Sequence, residues 1–175
     1  MSRILILYSS SLGHTAKISR RLLSYLVETG HQVRLEAIES SASLNLAEFD
    51  KIVLGARIRY GHHAPEVVRF VQEHRQALEG VPSAFFSVNL VARKASRSTP
   101  QTNPYMVKFL AQTGWQPTRQ AVFAGKVDYP SYNPLQRLAI RFIMWLMKGE
   151  TARDAVVEYT DWQRVESFAG QIASM

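Results

Sequence analysis

Four short, almost continuous apolar runs recur along the chain: RILILY at residues 3–8, KIVLGA at 51–56, PSAFFSV at 82–88 and RQAVFAG at 119–125. A strand that is apolar on both faces must be covered on both, which is the condition of a central strand in a parallel sheet. Between these runs the period changes to that of a helix. Ile18, Leu22 and Leu26 recur at four-residue steps, defining a helix that starts from Thr15 and ends near Gly30. Behind Pro65, a first-turn residue, the inward face runs through Val67, Phe70, Val71, His74 and Leu78. NPYMVKFLAQTG, 103–114, supplies Asn103 as cap, Pro104 as the first helical residue and Gly114 as terminator. HQVRLEAI, 31–38, alternates instead and reads as a strand near a sheet edge. Strands that alternate with helices give a doubly wound α/β fold, and five strands suit the order 2-1-3-4-5 better than the six of a dinucleotide fold.

After residue 125 the rhythm breaks. KVDYPSYN is a turn-rich aromatic connection, and PLQRLAIRFIMWLMKGE is a helix of high apolar content, so residues 126–150 or so read as an inserted loop and helix within one domain spanning 1–175. From Pro134 to Lys148 this helix rises only ~22 Å, short of a ~30 Å hydrocarbon core. Arg137, Arg141 and Lys148 share one stripe, and with Phe142, Trp145 and Met147 they describe a helix lying on an anionic bilayer surface. AVVEY, 155–159, is a short extended stretch, and Thr160 with Gln163 has capping-box spacing for a last helix facing the sheet through Val165, Phe168, Ala169 and Ile172.

Composition narrows the chemistry. The 175 residues include no cysteine, which removes disulfides, thiolate nucleophiles and cysteine-held metal. A formal charge of +7 favours an anionic partner without choosing between lipid, nucleic acid and a carboxylate-bearing small molecule. No charged leader with an apolar core precedes the first strand, so a secretory signal is not expected. No compact cluster of histidines and carboxylates suggests a metal site, and no nucleic-acid recognition motif accompanies the charge.

The loop Ser9, Ser10, Ser11, Leu12, Gly13, His14, Thr15 joins the first strand to the first helix. Successive backbone N–H groups, several hydroxyls and a helix N-terminus make a site for a dianionic phosphate. The spacing is neither the lysine-bearing phosphate loop of nucleotide triphosphatases nor GxGxxG. A single phosphate on a five-stranded sheet points to FMN. Two other loops leave the same end of the sheet, offering Arg57, Ile58, Arg59, Tyr60 and Gly61, and Ser87, Val88, Asn89 and Leu90, around a flat ring. His14 flanks the phosphate, His31 enters a strand, His62 and His63 read as solvated or hydrogen-bonded, and His74 as packed. No residue is singled out as a chemical base.

The segments IVLGARIRYGHH, PSAFFSVNLVARK, TPQTNPY, AGKVDYP and VVEYTDW, in this order, resemble the flavodoxin-like, FMN-dependent protoporphyrinogen IX dehydrogenases linked to menaquinone. The similarity covers essentially the whole chain, and SVNLVARK followed by TPQTN is its most specific part. It implies a flavodoxin-like fold and FMN at the three loops. It also implies oxidation of protoporphyrinogen IX to protoporphyrin IX in haem biosynthesis, with electrons passed to menaquinone or another quinone. Arg93, Lys94 and Arg97 form a cationic loop suited to the substrate's propionates, with Arg57 and Arg59 as rival candidates. The implied location is peripheral, at the cytoplasmic face of the cell membrane. The competing functions are a soluble flavodoxin-type electron carrier, a general quinone reductase and, from a different class, a basic nucleic-acid-binding protein.

Overall fold

The computed structural model describes residues 1–175. The apolar runs become β1 (Arg3–Ser9), β3 (Lys51–Arg59), β5 (Ser83–Asn89) and β6 (Arg119–Ala124), with β2 (Gln32–Ala37) at one edge. These five strands are parallel in the order β2-β1-β3-β5-β6. That is the expected 2-1-3-4-5 plus one strand the sequence did not reveal, the two-residue β4 (His62–His63), which turns back antiparallel on β3.

The double-sided apolar pattern has its explanation in the two layers. Successive strand side chains point to opposite faces. Ile4, Ile6, Val53 and Phe86 meet α1 (His14–Glu28) and α6 (Trp162–Ala173) on one face. Leu5, Leu7, Leu54 and Phe85 pack on the other with α2 (Pro65–Glu73), α3 (Arg75–Glu79) and α4 (Pro104–Thr113). Gly55 lies under the Phe86 ring so closely that a Cβ there would sit 2.1 Å from Cζ.

Several boundaries differ from expectation. The first helix opens one residue early, at His14. The helix after Pro65 breaks at His74, which caps α2 and packs on Phe70 at 4.6 Å between ring centroids. The last helix is capped by Asp161, whose carboxylate accepts from the N–H groups of Gln163 and Arg164. Thr160 is instead drawn away to donate to the Ala124 carbonyl at 2.7 Å.

The insertion builds a small unit of its own. β7 (Lys126–Asp128) pairs antiparallel with β8 (Val156–Glu158), and α5 (Pro134–Leu146) closes over Val127, Tyr129 and Tyr132 through its buried Met144. α5 begins with a full capping box between Asn133 and Gln136. Of its predicted bilayer-facing cations, two turn toward the protein. Arg137 donates to the carbonyls of Tyr129 (2.9 Å) and Tyr132 (3.2 Å), and Arg141 to that of Thr151 (2.8 Å). The outward face is apolar: Leu135, Leu138, Phe142, Trp145 and Leu146 are each at least 58% exposed. Lys148 is exposed and Met147 half-buried. No helix of the protein is long and apolar enough to cross a membrane.

Candidate functional site

Parallel register brings the three predicted loops to one edge. Ser9 of β1 lies beside Ala56 of β3, Arg57 beside Val88 of β5, and Asn89 beside Ala124 of β6. The chain leaves each of β1, β3 and β5 at this carboxyl end, where an α/β sheet presents its crevice.

The first loop has the features of an anion site with its ligand's place reserved. Gly13 occupies the N-cap position of α1 at φ 80° and contributes no side-chain cap, so the first-turn N–H groups keep their unmet donors. Nothing lies within 4 Å of where a Gly13 Cβ would project. The hydroxyls of Ser10 and Thr15 are buried with no hydrogen-bond partner, although Thr15 is only 1% exposed. Orphaned buried hydroxyls are costly unless a ligand completes them. A phosphate in this loop would satisfy both, together with the helix end. Ser11 and Leu12 are exposed at the loop's rim, and Ser9 is enclosed as the last residue of β1.

His14 is fixed by partners distant in sequence. Its Nε2 lies 2.7 Å from Thr160 Oγ1, and since that hydroxyl donates to Ala124, the ring nitrogen is the donor. Nδ1 stands 3.9 Å from Glu158. Burial lowers the His14 pKa, opposed by Glu158. Glu158 also holds Lys17 and the Trp162 indole N–H, each at 2.7 Å, so β8 and α6 brace the start of the loop's helix.

The second loop is a tight hairpin. Arg59 pairs with His62 and Ile58 with His63, leaving Tyr60 and Gly61 as a two-residue turn with φ 50° and 78°. Positive φ at both central residues is the type I′ pattern. A tyrosine in the first of these positions is strained, and its ring stands 71% exposed at the strand tips. The Arg59 guanidinium lies 5.1 Å from the ring centroid, and Gln136 of α5 donates to the phenol oxygen at 3.4 Å. Arg57 is half-buried, its pKa lowered by desolvation and by Arg59, and it remains a cation.

The hairpin separates the two histidines, and His63 is the buried, hydrogen-bonded one. Antiparallel pairing sends His62 outward and His63 inward, where Nε2 lies 2.9 Å from Ser87 Oγ and the ring packs on Phe109 at 4.8 Å. Burial pushes its pKa down to about 4, so it is neutral at ordinary pH. The signal was present in the two-residue Tyr-Gly spacing before HH.

On the third loop Ser87, Val88 and Asn89 are all buried, and only Leu90 is partly open. Ser87 Oγ serves His63 and accepts from Asn89 Nδ2 at 3.2 Å. Asn89 and Asn103 exchange hydrogen bonds at 3.0 and 3.4 Å, and Asn103 caps α4 through the N–H groups of Tyr105 and Met106. These side chains shape the loop, which leaves the backbone to face a ligand. Arg93 is also committed: its Nη2 donates to the Met147 carbonyl at 2.6 Å, at the C-terminal end of α5 where a cation complements the helix dipole. Its guanidinium lies 5.8 Å from the Tyr159 ring centroid. Lys94 is half-buried and Arg97 exposed.

The flavodoxin domain family matches residues 5–154. Protoporphyrinogen IX dehydrogenase (quinone) of Escherichia coli K12 is 43% identical over 173 residues, covering 99% of this chain and 96% of that protein. The protein of the same name from Leishmania major is 42% identical over 174 residues, covering 99% of this chain and 75% of its own length. Among solved structures, a short-chain flavodoxin associated with a bacterial microcompartment superposes with a TM-score of 0.56 at 12% identity, covering 99% and 98% of the two chains. FMN is the cofactor of this family, and the Ser9–Thr15 loop carries the donors its phosphate requires. The chain therefore belongs to the flavodoxin family and, within it, to the group of protoporphyrinogen IX dehydrogenases (quinone).

Proposed function

We propose that this protein oxidises protoporphyrinogen IX to protoporphyrin IX in haem biosynthesis and delivers the electrons to a membrane quinone, menaquinone by preference, while resting on the cytoplasmic face of the cell membrane. The observation that carries the reading is identity of 43% across 99% of the chain with proteins named for that reaction. When bound, FMN supplies two-electron redox chemistry that no side chain here provides.

The protein's part is to hold and expose. Ser10, Thr15 and the α1 N-terminus bind the phosphate, and Gly13 lets the backbone approach it. Arg57 puts a fixed positive charge at the strand tips, where negative charge developing during reduction is stabilised. Tyr60 stands at the same edge as a stacking surface. The Nε2 of His63 is engaged by Ser87, and burial keeps the ring neutral, so its part is to fix the hairpin against β5. Rate enhancement by this chain is accordingly alignment and charge placement.

The apolar outer face of α5 supports the membrane part of the reading. Exposed Leu135, Leu138, Phe142, Trp145 and Leu146 form a surface suited to the headgroup–acyl boundary, next to a hairpin that α5 already touches through Gln136 and Tyr60. A lipid-soluble acceptor would reach the strand tips from that side. The Arg137–Arg141 stripe does not contribute headgroup contacts, being spent on backbone carbonyls. Lys148 and the overall charge of +7 remain for anionic lipid.

Steady-state assay of the FMN-loaded protein tests this function. Porphyrin fluorescence should develop from protoporphyrinogen IX under anaerobic conditions only when menaquinone is added. Rapid quinone reduction by a nicotinamide donor, without porphyrinogen oxidation, would mark a general quinone reductase instead.

A further inference from the structure

A cavity of about 400 Å³ opens between the β3–β4 hairpin, α2 and α4. It shares Ile58, Gly61 and His62 with the hairpin that the cofactor site uses, so the two are contiguous. Ile58, Val68 and Phe109 give the cavity an apolar part beside the His63 ring, and Gln72, Tyr105 and Gln112 complete the lining. Its rim carries Arg69 from α2 and Lys108 from α4, and no carboxylate lines it. Neither cation belongs to any ion pair in the protein. Lys108 Nζ reaches only His62 Nδ1, at 3.1 Å, a nitrogen that accepts when the ring is neutral.

Two unmatched cations beside the apolar side chains of Ile58, Val68 and Phe109 describe a receptor for an anion carried on a partly hydrophobic body. A guanidinium takes a carboxylate through two parallel N–H donors, and an adjacent ammonium adds a third charge-assisted bond. The volume falls within the range of small-ligand pockets but is tight for a whole tetrapyrrole. It suits one propionate arm and the pyrrole edge that bears it. Arg93 is spent on Met147, which leaves fewer free cations in the third loop to do this work.

We infer that the cavity between the β3–β4 hairpin, α2 and α4 is a carboxylate subsite in which Arg69 and Lys108 hold a propionate of the tetrapyrrole while the macrocycle lies over the strand tips. The assignment rests on the porphyrinogen reading above and adds to it the place and partners of the substrate's charged end.

The test is porphyrin binding by the FMN-loaded protein, read from porphyrin fluorescence anisotropy, for protoporphyrin IX and for its dimethyl ester. Arg69→Gln/Lys108→Gln is compared with the parent and with Arg34→Gln/Arg119→Gln, which removes the same charge elsewhere. All four positions are at the surface, and unchanged thermal unfolding verifies the fold. The pocket variant should bind the diacid about tenfold or more weakly than the parent, while the ester binds both alike and the charge control binds the diacid normally. Equal diacid affinity in parent and pocket variant overturns the assignment, as does an equal loss in the charge control. Benzoate, a free aromatic carboxylate, separates the sources of the ligand. Benzoate that shifts the His62 ring resonances but leaves porphyrin affinity untouched would give the cavity to a small free acid and overturn the propionate assignment. Turnover of protoporphyrinogen IX is measured separately. Turnover with equal binding in all variants removes the subsite alone, and absent turnover with the binding differences intact removes the enzymatic reading alone.

Discussion

Replacing Thr15 by valine should strengthen the protein without FMN and weaken its hold on FMN. The Thr15 side chain is 1% exposed and its hydroxyl has no partner, so the cofactor-free protein bears the cost of an unsatisfied buried group. Valine has nearly the same shape and removes that cost, about 1–3 kcal/mol. Some of this is lost to imperfect repacking, and a net gain of about 1 kcal/mol raises Tm by roughly 2–4 °C in a chain of this size. In the complex, valine deletes a hydrogen bond to a charged phosphate, worth about 1.5–3 kcal/mol, which is roughly a ten- to hundredfold rise in Kd. The assay is a thermal melt of apoprotein alongside a fluorescence titration with FMN. Loss of affinity accompanied by loss of apoprotein stability would indicate simple damage. Unchanged FMN affinity would refute the placement of the phosphate beside Thr15.

Three further perturbations test other parts of the account. Gly55→Ala drives a methyl group into the buried Phe86 ring and should cost about 1–3 kcal/mol in urea unfolding, because that ring must shift against Phe123 and Phe168. His63 has a folded pKa of about 4 against about 6.5 unfolded, so the unfolded chain binds the proton first as pH falls. Its contribution is intact above about pH 6.5 and is lost toward pH 4 at up to about 1.4 kcal/mol per pH unit; His63→Gln, measured in parallel, should lack that part of the acid sensitivity. Phe142→Ser/Trp145→Ser alters side chains 58% and 66% exposed, so it should fold normally yet float poorly with anionic liposomes. Equal flotation of parent and variant would count against α5 as the membrane contact.

The parts of the fold written in local pattern were legible. β1, β3, β5 and β6 announce themselves because each is covered on both faces, and the β1–α1 turn because small residues join a buried strand to a helix. What stayed hidden depends on distant partners. Arg137 and Arg141 form a cationic stripe in sequence, yet the carbonyls of Tyr129, Tyr132 and Thr151 turn them inward, and nothing local to α5 signals that. Arg93 reads as a free loop cation until the end of α5 arrives to meet it. Thr160 matches a capping box by spacing, but Ala124 and His14 compete for its hydroxyl and Asp161 caps the helix instead. Arg69 and Lys108 come from different helices, and only packing of α2 against α4 puts them on one rim.

The central claim is that electrons pass from a porphyrinogen through FMN, held at the strand tips, to a quinone. Anaerobic spectrophotometry of the FMN-loaded protein follows that path directly. Protoporphyrinogen IX should bleach the yellow flavin absorbance, and menaquinone added afterwards should restore it as protoporphyrin IX accumulates. Flavin absorbance that protoporphyrinogen IX leaves unchanged, in a protein whose flavin dithionite readily bleaches and menaquinone restores, would contradict the account.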